Sequence, residues 1–395
     1  MSEFLKQVPL NSKKNLLQLN PRIAESLRQQ MSEIFDRHCQ EMNYENTLGL
    51  MTSGTTSENN EDFKIIILSQ SALLASAQAV NQWIHGSEQD IWSLGLPTFH
   101  VGGLGVLARA HLSRASVVSF LEEKWQAENF VSHLSAHKVT LTSLVPTQIF
   151  DLVHKGLKAP SCLRLVFVGG GDLSNSLYEQ ARVLGWPLML TYGMTEMSSQ
   201  VACSQMQDLQ SSHKPDLYLM PHMRAQMSDK KTLCLQSPAQ LTGVVERRQG
   251  IVRTLNYSSQ DFFCTEDLVE LQTDSRGLKV RPLGRGADFV KILGENVSLK
   301  KLRSLWSELI RESAFAFQLD WHLCAVPDER RGYVLFMITT QAAEESVKNL
   351  IPVFNQKVLP FERVSQWVAW SELPRTDLGK IKEGEILARL TQRKS

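Results

Sequence analysis

Two short runs of this sequence combine glycine with hydroxyl or charged side chains, and each follows an apolar, strand-like run. The first is Thr52-Ser53-Gly54-Thr55-Thr56. Such residues let backbone N–H groups and hydroxyls surround a phosphate, although an ordinary Ser/Thr turn has the same composition.

The second run is Thr191-Tyr192-Gly193-Met194-Thr195-Glu196. Its ring, hydroxyl and carboxylate suit a base, a phosphate and Mg²⁺, but a core tyrosine before a helix-starting glutamate gives this pattern too.

Charged residues also stand at turns in the second half of the chain. These stretches are Cys264-Thr265-Glu266-Asp267-Leu268, Gly284-Arg285-Gly286-Ala287-Asp288 and Pro374-Arg375-Thr376-Asp377-Leu378-Gly379-Lys380-Ile381. Taken singly, they are turns with charges. His133 and His137 have the i, i+4 spacing of a shared metal site, but no carboxylate or cysteine lies near them in sequence, so one helix face is the favoured interpretation.

Alternating apolar and helix-like runs predict the elements that position these residues. The strand-like runs up to residue 200 are Leu48–Met51, Lys64–Leu68, Ile91–Leu96, Ser116–Phe120, Val139–Leu144, Leu163–Val168 and Leu188–Thr191. Helix-like runs between them predict a mostly parallel sheet flanked by helices, with chemistry at the carboxyl ends of the strands. Shorter alternating runs after residue 200 predict antiparallel β structure. We therefore predict the α/β class, with a large domain at 1–285 and a small α+β domain at 286–395.

Composition and charge indicate which kinds of molecule this protein binds. The chain of 395 residues is 43% hydrophobic and 21% charged, and its net charge of +1 supplies no long-range field for nucleic acid or an anionic membrane. Its beginning lacks the apolar core of a signal peptide, and no apolar run approaches the roughly 20 residues of a membrane span. The six cysteines are scattered without a CxxC pair, so we expect reduced thiols and a cytoplasmic protein that handles small molecules.

The order of the motifs, from about Leu48 to Ile386, resembles the adenylate-forming superfamily of acyl-CoA synthetases, luciferases and adenylation domains. Within it, the segments 96–104 and 192–201 are most similar to o-succinylbenzoate–CoA ligases of menaquinone biosynthesis, although related aryl and acyl ligases share much of both. The resemblance implies an enzyme that uses ATP and Mg²⁺ to form an acyl-adenylate and then a CoA thioester. Delivery to a carrier protein, and a non-catalytic relative that binds nucleotide or acyl ligand, stay open as alternatives.

The resemblance also implies roles for individual residues. Lys380 would supply the cation for carboxylate attack, Thr195 would contact the α-phosphate, and Glu196 would hold Mg²⁺. The other implied nucleotide contacts are Thr52, Ser53, Gly54, Thr55, Thr56 and Lys64 around the β- and γ-phosphates, Gly170, Gly171, Tyr192 and Gly193 at the adenine, and Asp267 with Arg285 at the ribose. His100 would gate an acyl pocket lined by Gly102, Gly103, Ser199 and Gln200. After rotation of the small domain, Gly294 and Glu295 would reach the pantetheine channel of CoA.

Three departures from the family pattern stand out. The phosphate loop continues with an acidic stretch at 57–63, and Ile65 stands where glycine is expected, which should weaken triphosphate binding unless the carboxylates face solvent or Mg²⁺. Ala287 replaces the hinge aspartate, although Asp288 remains beside it. Only 51 residues precede the loop, so either a compact N-terminal region suffices or the partner in a homodimer covers the surface.

Overall fold

The chain forms two compact units. The computed structural model describes residues 14–21, 23–51, 63–171, 173–248, 250–285, 289–292, 295–313, 320–328, 331–377 and 379–392. The first unit comprises Met1–Thr265 and Val269–Pro282, and the second unit comprises Glu266–Leu268 and Leu283–Ser395. The predicted phosphate loop at 52–56 and the predicted CoA contact Gly294 lie outside the described residues.

Helices and strands alternate in the first half of the chain, and strands dominate the second half. The helices are α1 (Glu25–Glu41), α2 (Gln70–Ile84), α3 (Val101–Ser113), α4 (Ala127–Ala136), α5 (Pro146–His154), α6 (Asn175–Val183), α7 (Leu299–Glu312), α8 (Glu344–Lys357) and α9 (Glu383–Gln392). The strands up to residue 219 are β1 (Leu16–Gln18), β2 (Thr47–Met51), β3 (Phe63–Ser69), β4 (Ile91–Leu94), β5 (Ser116–Ser119), β6 (Leu141–Leu144), β7 (Leu165–Val168), β8 (Leu188–Met194), β9 (Ser199–Cys203) and β10 (Tyr218–Leu219). The later strands are β11 (Arg224–Met227), β12 (Thr232–Gln236), β13 (Gly243–Arg248), β14 (Ile251–Asn256), β15 (Phe263–Asp274), β16 (Gly277–Arg285), β17 (Phe289–Ile292), β18 (Glu295–Ser298), β19 (Trp321–Asp328), β20 (Gly332–Thr340) and β21 (Val364–Trp370).

A large sheet with the order β11-β12-β15-β16-β10-β9-β8-β7-β6-β4-β5 forms the centre of the first unit. Strands β5, β4, β6, β7 and β8 are parallel, whereas β8 to β10 pair antiparallel. Strands β6 and β7 are buried along their whole length, which explains their continuous apolar runs. The predicted α/β class, with parallel and antiparallel portions, is confirmed.

A second sheet in the first unit has the order β1-β2-β3-β13-β14. Strand β13 pairs antiparallel with β3 and places Glu246 opposite Lys64, although some 180 residues separate the two strands in sequence. This pairing was not predicted, because a sequence pattern indicates a strand but does not identify a distant partner. The edge strand β14 is exposed at every residue.

The second unit contains the hairpin β17–β18 and the three-stranded sheet β19-β20-β21, in which β20 and β21 are parallel. Helix α7 begins after Ser298, whose side chain accepts a hydrogen bond from Lys301 N at 3.2 Å. Its apolar side buries Trp306, whose ring lies 5.3 Å from the ring of Phe354 in α8. The mobility predicted for this part of the chain stays a prediction.

One expectation from the sequence is wrong. Cys234 in β12 and Cys264 in β15 form a disulfide, and their strands are neighbours in the large sheet. The sequence separation of 30 residues gave no sign of this pairing, because the antiparallel sheet alone brings the two cysteines together. The other cysteines, Cys39, Cys162, Cys203 and Cys324, are free. Among the described residues, no helix has the length and apolar character needed to cross a bilayer.

Candidate active site

The turn between β8 and β9 brings five of the predicted site residues into one stretch of backbone. Residues Thr195–Met197 form a single 3₁₀ turn, and β9 then returns antiparallel to β8. The return requires glycine at 193, because a Cβ there would lie 2.1 Å from Ser199 O. The predicted residues that this turn gathers are Tyr192, Gly193, Thr195, Glu196 and Ser199, with Gln200 opposite Gly193 in the ladder.

Lys64 and Glu196 meet although 132 residues separate them in sequence. Lys64 Nζ donates to Glu196 Oε1 at 3.2 Å, and the two side chains are 26% and 18% exposed. Leu241 N also donates to Glu196 O at 2.8 Å, which fixes the glutamate backbone against the segment leading into β13. A half-buried carboxylate such as that of Glu196 is a suitable ligand for Mg²⁺, and an ammonium such as that of Lys64 is a suitable partner for phosphate. The two residues therefore fit a bound complex of Mg²⁺ with a nucleotide.

Two further groups face this pair, and sequence reasoning missed both. Glu246 stands opposite Lys64 in the β3–β13 ladder, so the two side chains share one face of the sheet. Tyr257 lies near both carboxylates: its pKa is raised by burial first, and then by the charges of Glu246 and Glu196. The sequence carried no signal for either residue, since their place depends on the distant pairing of β13 with β3.

The glycine run after β7 and the end of β8 lie at the same edge of the parallel sheet. Val168 pairs with Leu190, and Thr191 Oγ1 donates to Val168 O at 3.3 Å. Gly170 has a φ of +79°, a backbone conformation that favours glycine. Gly170 and Gly171 therefore stand beside Tyr192 at the carboxyl ends of neighbouring strands, where the fold class places ligands. Their adenine-binding role stays a prediction.

The start of α3 carries the residues predicted for the acyl pocket. His100 is the residue before the helix, and its carbonyl accepts hydrogen bonds from Gly103 N and Leu104 N, both at 3.1 Å. A Cβ at Gly103 would lie 2.3 Å from Leu96 O, so only glycine permits the helix to begin against the end of β4. Gly102 is half-buried at the same helix start.

Arg109 is the most unusual side chain near this pocket, and sequence reasoning missed it. It is 1% exposed, and its Nε, Nη1 and Nη2 atoms have no hydrogen-bond partner among the described residues. The guanidinium lies 4.8 Å from the ring of Trp92 and 5.0 Å from the ring of Phe167. Burial lowers the pKa of Arg109 to about 10, so the side chain remains charged at neutral pH.

The side chain of Arg109 extends past Gly105 in α3 toward Ser199, one of the residues predicted to line the acyl pocket. A Cβ built on Gly105 would lie 3.5 Å from Arg109 Nη2 and 3.7 Å from Ser199 Oγ, so all three meet at one point. The signal was present in the sequence, because Arg109 is a lone charge in the otherwise apolar run 101–110. A buried cation without a hydrogen-bond partner among the described residues is destabilising unless a counter-charge reaches it.

The remaining predicted residues belong to the second unit. Asp267 is half-buried in β15, and Arg285 ends β16. Glu295 begins β18, and Lys380 is exposed on a short turn before α9. Side-chain placement is not described for Arg285 or Glu295. The roles of all four residues stay predictions. Among the described residues, no cluster of three or more His, Cys, Asp or Glu side chains has the arrangement of a metal site.

Comparison with known proteins identifies a family for more than half of the chain. The family model described as "AMP-binding enzyme" matches residues 12–247. The 2-succinylbenzoate–CoA ligase of Lactococcus lactis is 25% identical over 346 residues, which cover 85% of this chain and 69% of that protein.

Solved structures give a similar result. The o-succinylbenzoate CoA synthetase (MenE) of Bacillus subtilis in complex with the acyl-adenylate intermediate OSB-AMP aligns with a TM-score of 0.69 and 22% identity, covering 86% of this chain and 68% of that one. The same enzyme in complex with ATP and magnesium ion aligns with a TM-score of 0.66 and 21% identity, covering 86% and 69%. At these identities the structures demonstrate a shared fold.

Proposed function

We propose that this chain, which belongs to the AMP-binding enzyme family, is an ATP-dependent acid–thiol ligase that converts o-succinylbenzoate to its CoA thioester. The observation that carries the choice of acid is Arg109, a buried guanidinium without a hydrogen-bond partner among the described residues. o-Succinylbenzoate has two carboxylates. One must stay free to react, and the other needs a buried counter-charge, which Arg109 provides. The name of the Lactococcus lactis relative supports the same acid.

The first step forms the acyl-adenylate. A carboxylate oxygen of the acid attacks the α-phosphorus of ATP, the bond to the bridging oxygen breaks, and pyrophosphate leaves with its electron pair. Mg²⁺ held by Glu196 would supply positive charge to the phosphates. Lys64 would bind the phosphate chain, Thr195 would contact the α-phosphate, and Lys380 would neutralise the charge that develops as two anions approach.

The second step transfers the acyl group. The sulfur of CoA attacks the acyl carbonyl carbon, the thiol proton passes to solvent, and AMP leaves. In this proposal the second unit rotates between the steps, which removes Lys380 and brings Gly294 and Glu295 to the pantetheine arm. Asp267 and Arg285 would hold the ribose, and the half-buried Tyr192 would stack on the adenine.

The proposal has further parts that concern the setting of the enzyme. Its substrates ATP and CoA support a cytoplasmic location, and its net charge of +1 supports partners other than nucleic acid or an anionic membrane. A homodimer remains one of two alternatives, the other being a monomer. Sedimentation velocity on the purified protein would distinguish them.

An exchange assay tests the proposed function directly. We expect radioactive pyrophosphate to exchange into ATP only when an acid is present, much faster with o-succinylbenzoate than with benzoate, and we expect CoA to yield the thioester and AMP. Benzoate and medium-chain fatty acids serve as comparison acids, because each lacks the second carboxylate. Absence of exchange with every acid would contradict the ligase assignment, and equal exchange with benzoate would contradict the choice of acid.

A further inference from the structure

The turn that carries Lys380 is held by a dense set of backbone hydrogen bonds. Arg375 and Ile381 form an antiparallel bridge across its base, and Lys382 N donates to Pro374 O at 2.9 Å. Within the turn, Thr376 N donates to Lys380 O at 2.7 Å, and Lys380 N donates to Thr376 Oγ1 at 3.2 Å. The backbone of Lys380 is therefore fixed at both its amide and its carbonyl.

The side chain of Arg375 also holds the turn, through hydrogen bonds that reach its tip. Arg375 Nη1 donates to Gly379 O at 2.8 Å, the carbonyl immediately before Lys380. Arg375 Nη2 donates to a carboxylate oxygen of Asp320, which immediately precedes β19. One planar guanidinium thus links the tip of the turn to the neighbouring sheet.

Asp320 is itself well anchored. Its carbonyl accepts Thr340 N at 3.2 Å and Thr339 Oγ1 at 3.1 Å, and Thr339 is fully buried in β20. The carboxylate that receives Arg375 therefore lies immediately before β19, on a residue whose backbone is hydrogen-bonded to β20.

We propose that Arg375 and Asp320 are positioning residues for Lys380, and that they serve the adenylate-forming step alone. This inference rests on the proposed function, because it takes Lys380 as the cation of that step. A lysine has four side-chain torsions, so its ammonium reaches a fixed point only if its backbone is fixed. A displacement of about 1 Å at a reacting group costs roughly 100-fold in rate.

A purely structural role fits the contacts less well. The base of the turn is already anchored, since Leu373 is buried and Ile381 packs against the apolar cluster that contains Ile386. The Arg375–Asp320 pair is itself half-exposed, at 36% and 39%, and ion pairs of this kind contribute little to stability. Arg375 therefore acts on the tip of the turn, whereas the apolar contacts hold its base.

Measuring the two half-reactions separately distinguishes a positioning role from a structural role for Arg375 and Asp320. We expect Arg375→Gln and Asp320→Asn to slow acid-dependent pyrophosphate exchange by about 10- to 100-fold, with the KM for ATP nearly unchanged. The same variants should form thioester from synthetic acyl-adenylate and CoA at the wild-type rate, because Lys380 has no part in that step. Arg375→Lys should not restore exchange, since an ammonium does not span both acceptors in the geometry of the guanidinium fork.

The double variant and a control variant complete the test. Because the two residues act as one link, the double variant should exchange about as slowly as either single variant. Arg389→Gln is the matched control: it removes a half-exposed arginine–glutamate pair, with Glu385, from the same unit, and it should leave both half-reactions unchanged.

The outcomes that overturn the inference are distinct from those that overturn the proposed function. If the wild-type protein exchanges pyrophosphate and both variants do so at the same rate, the positioning role is wrong and the proposed function stands. If the variants slow both half-reactions equally, or shift the melting temperature together with activity, a structural role replaces positioning. If the wild-type protein shows no acid-dependent exchange, both inferences are wrong.

Discussion

At the scale of single residues, the proposed choice of acid depends on Arg109. Its guanidinium is buried beside two aromatic rings, and it has no hydrogen-bond partner among the described residues. Isolated buried charge is costly, so folding of the free protein is destabilised by this residue. A ligand carboxylate at Arg109 would offset that cost. An acid with two carboxylates can supply this second carboxylate while the first reacts, so it would bind better than an acid with one.

Replacing Arg109 should therefore separate binding from stability. We expect Arg109→Met to lower kcat/KM for o-succinylbenzoate roughly 100-fold, because the second carboxylate loses its partner. This loss corresponds to about 3 kcal/mol of transition-state stabilisation. Steady-state kinetics with benzoate, which lacks that carboxylate, should show little change. The free energy of unfolding should rise, since an apolar side chain replaces an unpaired cation. Equal losses for both acids would assign Arg109 to packing instead.

At the scale of elements, local patterns predicted most of the strands and helices around the site. The apolar runs at 64–68, 163–168 and 188–191 correspond to β3, β7 and the start of β8. Distant pairing was not predictable. Strand β13 pairs with β3 along five residues, and no local feature of either strand specifies the other. The resemblance gave Lys64 and Glu196 separate roles and did not predict their contact, whereas Glu246 depends on the β3–β13 pairing and was missed.

The start of α9 carries an ion-pair cluster whose pH dependence can be derived. Arg303 Nη2 donates to Glu383 Oε1 at 2.6 Å, and His322 Nε2 lies 3.5 Å from the same oxygen. Burial alone would raise the pKa of Glu383, but the hydrogen bonds and charges of His322 and Arg303 outweigh burial and lower the pKa to about 2. Its ordinary value is 4.5, so this carboxylate stabilises the folded state above pH 4.5.

This stabilisation should disappear as the pH falls from about 4.5 to about 2, because the unfolded chain binds the proton first. We expect Glu383→Gln to lower the free energy of unfolding by about 1–3 kcal/mol at pH 7 and to flatten its decline over that acid range. Urea unfolding at a series of pH values measures both effects. Glu385→Gln, which removes two half-exposed ion pairs, with Lys382 and Arg389, is the control and should have little effect. An unchanged acid slope in Glu383→Gln would exclude this cluster as the source.

For the molecule as a whole, we expect the two compact units to unfold in separate transitions. The disulfide between Cys234 and Cys264 lies in the first unit, and it closes a loop of 30 residues across neighbouring strands. By loop-closure entropy, such a link stabilises the folded state by about 3.6 kcal/mol. The second unit contains no disulfide among its described residues, so reduction should act on one unit only.

Cys264→Ser should therefore lower the unfolding midpoint of the first unit and leave that of the second unit in place. Denaturant unfolding followed by tryptophan fluorescence tests this, because Trp92 and Trp186 report on the first unit and Trp306 on the second. Reductant should reproduce the effect in the wild-type protein and have none in Cys264→Ser. The matched control is Cys162→Ser, which removes a free, half-buried thiol from the same unit. If both serine variants shift the midpoint equally, or if all six cysteines react with a thiol reagent in denaturant without reductant, the link does not form in solution.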